Sequence, residues 1–209
     1  MSDARRKRRK FASYALIVAG AALLFLGARD VFFAHLGQQE AQSAFEKMDA
    51  AKPSPFLSGN PTQPRISLGD TVAKLMIPRL DTELYVVEGD DGKDLRRGPG
   101  HVEGTAMPGQ DGNCIIAGHR DTHFRVLKDI RKGDEIVLQT AGGQYTYRVK
   151  GTQVVLPSNT ASLKPTTNAE LHLITCYPFY YLGSAPKRFV VEAELQQVSA
   201  SNLTPRSVY

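Results

Sequence analysis

The sequence has no tryptophan and only two cysteines, so it can form at most one disulfide, and a cysteine-stapled scaffold is excluded. It also lacks surplus charge beyond its first ten residues. Residues 1–10 hold six Lys and Arg side chains against Asp3, which accounts for the whole net charge of +5. The remainder is balanced. Although the pI is near 9.2, bulk charge therefore gives no support to nucleic-acid binding. No segment repeats another, which excludes a stacked-repeat architecture. What is present, 209 residues of which 42% are hydrophobic, suits one globular domain plus an extra segment.

The extra segment is N-terminal. Residues 11–28 (FASYALIVAGAALLFLGA) carry no charge. A helix rising ~1.5 Å per residue would carry this run across roughly 27 Å, close to a bilayer's hydrocarbon thickness. Val31, Phe32 and Phe33 extend it by a turn past Arg29 and Asp30. A cleaved signal peptide has a shorter apolar region and a small-x-small cleavage site. Here the run is long, and Leu26-Gly27-Ala28 is a poor site. Residues 11–33 are therefore expected to be an uncleaved transmembrane signal anchor. The basic residues 1–10 would stay cytoplasmic and the chain from residue 34 onward would be extracytoplasmic.

Residues 34–51 are rich in Ala, Gln, Glu and Lys and lack proline. They read as a helix continuing out of the bilayer, with Ala34, Leu36, Ala41, Ala44 and Phe45 as a weak apolar face. Pro53, Pro55, Pro61 and Pro64 make 52–64 a linker. The helical stalk and linker, 34–68, would hold a domain off the membrane. From residue 69 the texture changes to short β-branched runs between turn residues. Strands are expected over 72–77, 83–87, 113–117, 135–139, 144–155, 171–175 and 188–196, with Gly142-Gly143 as a hairpin turn. Residues 91–100 read as a polar loop or short helix and 124–129 as one or two helical turns. The domain at 69–198 is thus mainly β, a seven- to eight-stranded closed or nearly closed barrel with short helices. Residues 199–209 form a polar tail.

Three segments carry candidate chemistry. In Leu171-His172-Leu173-Ile174-Thr175-Cys176-Tyr177-Pro178, alternating apolar residues lead to Cys176, and Pro178 ends the ladder. Alone, such a cysteine is more often a packed small hydrophobe. In Ile115-Ile116-Ala117-Gly118-His119-Arg120-Asp121-Thr122-His123, Gly118 permits a sharp exit that leaves His119 at a strand end. In Lys187-Arg188-Phe189-Val190-Val191, a strand starts 12 residues after Cys176. Antiparallel pairing would set Arg188 beside the thiol. A nucleophilic thiol, an imidazole and a guanidinium at neighbouring strand ends make a covalent-catalysis kit. A thiol attacks as thiolate, which nearby cations favour, and a fixed guanidinium can donate to a developing oxyanion.

GHRDTHF, LITCYPF and KRFVV, with Gly104-Thr105-Ala106-Met107-Pro108-Gly109 upstream, resemble the sortase family over about residues 70–197. The GHRDTH and CYPF forms look most like class D sortases and the related sortases of Gram-negative bacteria. The resemblance implies a transpeptidase that cleaves an LPXTG-like sorting signal near the C-terminus of a secreted protein, with Cys176 forming a thioacyl enzyme. His119 would protonate the leaving amine and then help deprotonate the incoming one. Arg188 would bind substrate and oxyanion, and Thr175 would contribute through its hydroxyl or position. The acceptor is an amine, such as a pilin lysine or a cell-wall peptide amine. The chemistry needs no cofactor. Some relatives use calcium, but no acidic cluster assigns it here.

Cys114 lies five residues before His119 on the same strand, roughly 16 Å away at ~3.3 Å per residue, too far to bridge a cysteine near His119. It reads as a buried structural thiol. His123 ranks second as general acid, Arg120 is a weaker rival to Arg188, and His101 and His172 read as structural. Two alternatives stay open. One is another cell-envelope cysteine enzyme, L,D-transpeptidase-like or a hydrolase of the same barrel, although Ile-Thr-Cys stands where L,D-transpeptidases have His-Gly-Cys. The other is a non-catalytic, membrane-tethered binding barrel.

Overall fold

A computed structural model describes residues 3–50, 66–159, 164–181 and 183–199. The expected linker at 52–64 and the tail beyond residue 199 lie outside the described residues. Helix α1 (Asp3–Ala50) precedes β1 (Thr71–Ile77), β2 (Thr82–Glu88), α2 (Asp94–Arg97), β3 (Gly100–His101) and β4 (Gly112–Gly118). After β4 come a 3-10 segment (His123–Asp129), β5 (Glu135–Thr140), β6 (Gly143–Val155), β7 (Ala169–Tyr177) and β8 (Lys187–Ser199). Eight strands close a barrel in the order β1-β2-β3-β4-β7-β8-β6-β5. Closure uses two parallel pairs, β2 with β3 and β4 with β7; the other pairs are antiparallel.

The period-2 alternation read from the sequence aims one face of each strand inward. Leu75, Ile77, Cys114, Ile116, Ile136, Leu138, Leu171, Leu173 and Val191 fill the interior together with Tyr147. Each such side chain, removed from water, contributes ~1.5–3 kcal/mol. Phe124 and Leu127 of the 3-10 segment join the same core, wholly buried. Arg79 and Asp134 clasp two turns at 2.7 Å (Nη2 to Oδ2), and the guanidinium holds the Asp134 carboxyl below the usual carboxylate range.

Residues 11–33, expected as the anchor, are helical within α1. Among the described residues, no helix carries a stretch long and apolar enough to cross a membrane. Side chains 11, 12, 26–28, 30 and 31 of that segment are not among those described.

The second half of α1 buries Ala34, Ala41 and Phe45 of the expected apolar face and corrects Leu36 and Ala44. It is no free stalk, because it packs on the barrel. Ala41 and Phe45 are buried with Tyr85 and Val87, while Leu36 and Ala44 are not buried. Close approach, more than apolarity, selects the docked face. A Cβ on Gly37 would stand 2.4 Å from Cα of Arg97, so only glycine admits α2 here. Gln38 beside it donates to the carbonyls of Tyr85 (3.0 Å) and Arg97 (2.9 Å) and accepts from Tyr85 N–H (2.8 Å). Gly37→Leu is therefore expected to undock residues 34–48, exposing Phe45 and costing ~2 kcal/mol or more. Hydrogen exchange across 34–48 and a melting curve check this.

Candidate active site

Parallel pairing of β4 with β7 matches Cys114 to Leu171, Ile116 to Leu173 and Gly118 to Thr175. These positions face the interior. The alternate set, Ile115 with His172 and Ala117 with Ile174, lies on the opposite face of the two strands, where Ile115 and His172 are also buried. The paired register ends at Gly118 and Thr175, one residue short of His119 after β4 and of Cys176 in β7, so both residues lie at the same end of these neighbouring strands. Across the antiparallel β7–β8 pair, Cys176 is matched directly to Arg188, so their side chains leave the same face. The structure thus brings His119, Cys176 and Arg188 to one end of three adjacent strands, each side chain partly exposed. Arg188 also donates to the Lys187 carbonyl at 3.1 Å.

Thr175 points the other way. Its hydroxyl is buried and donates to the Gly118 carbonyl at 2.6 Å, tying the end of β7 to the end of β4. Gly118 itself is required for room rather than for its backbone angles. A Cβ there would lie 2.6 Å from the Phe124 ring, the plug that turns the chain after His119. His123 is buried, and burial pushes its imidazole below the ordinary value; the Ala34 carbonyl of α1 partly offsets this. Its place is between the barrel and α1, not at the strand ends. Arg120 donates to the carbonyls of Tyr181 (2.7 Å) and Gly183 (2.9 Å), so it fastens the β7–β8 connection to the loop that carries His119.

Two groups escaped the sequence reading. Tyr177, Phe179 and Phe189 form an aromatic cluster with centroids 5.2–6.2 Å apart at the Cys176–Arg188 end. Arg125 and Lys128 hold Tyr180, Lys128 by a 3.1 Å bond to its hydroxyl, which lowers the phenol's pKa. The density of aromatics in Cys-Tyr-Pro-Phe-Tyr-Tyr was the available signal for both.

His101 is buried between Glu88 (2.8 Å) and the Ala106 carbonyl (3.0 Å), and His172 contacts Asn113 at 3.1 Å. Among the described residues, no group of three or more His, Cys, Asp or Glu is arranged to hold a metal ion. Both cysteines are free, and burial raises the Cys114 thiol to about 12. At neutral pH, iodoacetamide is therefore expected to label Cys176 and spare Cys114 in the folded chain. Peptide mapping before and after denaturation checks this.

The sortase domain family model matches residues 75–196. Sortase D of Bacillus subtilis (strain 168) is 36% identical over 154 residues, 73% of this chain and 74% of that protein. Among solved structures, the Clostridium perfringens Sortase D5 transpeptidase aligns with TM-score 0.62 and 26% identity, over 79% of this chain and 99% of that one. Sortase A of Listeria monocytogenes aligns with TM-score 0.59 and 26% identity, over 64% and 92%. Fold and relatives together define a β-barrel cysteine transpeptidase. The chain belongs to the sortase family, and its resemblance to class D members is consistent with these matches.

Proposed function

We propose that Cys176 is the nucleophile of this transpeptidase, with His119 as its proton-transfer partner and Arg188 as its oxyanion donor. The observation that supports this is the strand register. It pairs Cys176 with Arg188 and runs β4 beside β7 up to Gly118 and Thr175, one residue short of His119. The Cys176 thiolate attacks the carbonyl carbon of a Thr–Gly-type bond in an LPXTG-like C-terminal sorting signal. Arg188 donates to the oxyanion. As the C–N bond breaks, the His119 imidazolium gives its proton to the leaving amine, and a thioester to Cys176 remains. An acceptor amine then passes a proton to the neutral His119 and attacks the thioester. The C–S bond breaks and the thiolate returns. These steps use side chains alone.

Residues 11–33 serve as a single-pass signal anchor, with residues 1–10 cytoplasmic and the barrel extracytoplasmic. The support is the uncharged run at 11–28 next to the basic residues 5–10. Secreted proteins with a sorting signal are then presented along the same membrane face. The test is intact-mass analysis of the full chain with a sorting-signal peptide and an amine. The expected result is an acyl adduct that maps to Cys176 and an amine-ligated product. An adduct elsewhere would overturn the assignment.

A further inference from the structure

A groove of about 500 Å3 lies between α1 and α2, lined from α1 by Arg29, Phe33 and Gly37 and from the barrel side by Lys93, Arg96 and Arg97. The catalytic chemistry uses none of these residues. We infer that this groove receives the headgroups of anionic phospholipids and docks the barrel onto the outer surface of the bilayer that holds the anchor. The inference rests on reading 11–33 as that anchor.

Depth is the first argument. Helix α1 is continuous from Asp3 to Ala50. Gly37 is four residues past Phe33, a rise of roughly 6 Å along the axis. Each headgroup layer adds roughly 5–7 Å to the hydrocarbon core. Gly37 packs directly on the Arg97 backbone, where a Cβ would stand 2.4 Å from Cα. The docked helix therefore carries α2 at headgroup level instead of holding it clear of the membrane.

Chemistry is the second. Lys93, Arg96 and Arg97 stand at i, i+3 and i+4, so the short helix turns all three to one face. The neighbouring carboxylates Asp91 and Asp94 offset part of the charge of Lys93 and Arg97, but each also has a partner away from the groove. Asp91 accepts from the backbone N–H groups of Lys93 (2.7 Å) and Asp94 (2.9 Å), and Asp94 faces Gly89. Glu40 is the one carboxylate in the lining. Lys93 and Arg96 are exposed; Arg97 gives one nitrogen to the Gly69 carbonyl at 2.9 Å. Phe33 and Leu36, also exposed, adjoin these cations. An apolar strip beside a basic one is poorly matched to water and well matched to the acyl–headgroup boundary, where each finds its own partner.

The test is hydrogen exchange on the full chain reconstituted in vesicles of phosphatidylcholine alone, or with roughly a third phosphatidylglycerol. With near-surface cations each contributing roughly a fivefold bias, amide exchange across 93–98 is expected to slow ~10-fold or more in the anionic vesicles. High salt, or the double variant K93Q/R96Q, should remove the effect while sorting-peptide cleavage in detergent stays unchanged. Alkaline extraction of the same vesicles separates the two readings. A chain that resists extraction but exchanges identically in both lipids overturns docking and leaves the anchor standing. A chain that is extracted removes the anchor and the depth argument with it. Protection by inorganic phosphate without vesicles would indicate a free-ion site and also overturn the inference.

Discussion

Cys176→Ala is expected to remove transpeptidation altogether, a loss of roughly 10⁴-fold or more, with little change in stability. A covalent mechanism without its nucleophile retains only what binding and oxyanion stabilisation supply. The stability side follows from position. Cys176 is partly exposed at the outer end of β7, where a small side chain contributes little to the core. A surface truncation of this kind changes stability by within ~1 kcal/mol. Cys114 makes the complementary control. It is fully buried among interior strands, five register steps from the site, so Cys114→Ser is expected to leave kcat near wild type while lowering the melting temperature. A buried hydroxyl without a good partner costs ~1–3 kcal/mol. Intact mass after incubation with a sorting-signal peptide reads the first result, since the adduct must vanish in Cys176→Ala and persist in Cys114→Ser. Persistence of the adduct in Cys176→Ala would remove the thiol from the mechanism.

The reason Cys176 could be picked out from sequence is that its neighbourhood is made of strands. Alternation of apolar residues in Leu171–Thr175 sets which side chains face the core, and Pro178 marks where the ladder must stop. Twelve residues from Cys176 to Arg188 suffice for one hairpin, and the observed register matches the two residues directly. Expected and observed strands differ by at most three residues at their ends, the largest difference being at β8, which runs to Ser199. Less was legible where long-range contact decides the outcome. The two-residue strand Gly100–His101 has no pattern to detect, yet it bridges β2 and β4 and closes the barrel. The docked face of α1 was legible in Ala34, Ala41 and Phe45 but not in Gly37 and Gln38, which also lie on it, one chosen for the absence of a side chain and the other for backbone hydrogen bonds. Gly118 was read as a conformational device and is a packing one, since its neighbour Phe124 is six residues away and arrives only through the turn after His119.

His119→Ala should lower kcat/KM by ~10³-fold or more, whereas His123→Ala should leave turnover of the folded enzyme near wild type. General acid–base catalysis contributes ~10²–10⁴-fold, and a group that acts as a unit with the nucleophile shows strongly non-additive losses. The double variant Cys176→Ala/His119→Ala is accordingly expected to be no slower than Cys176→Ala alone. His123 differs because its imidazole is buried against α1, where burial favours the neutral form. The unfolded chain takes up that proton near the ordinary imidazole value of about 6.5, but the folded chain resists to lower pH. The stability associated with neutral His123 is therefore fully present above about pH 6.5 and falls as pH drops below it. His123→Asn should flatten that decline. Asp134 contributes in a separate window, because its carboxyl is lowered by Arg79 and its stabilisation is lost only below the ordinary carboxylate value of about 3.9. The difference between wild type and His123→Asn in denaturant titrations between pH 7 and 5 thus isolates His123, while rate measurements at neutral pH isolate His119. If His123→Ala abolished turnover in a folded chain and His119→Ala did not, the two imidazoles would exchange roles.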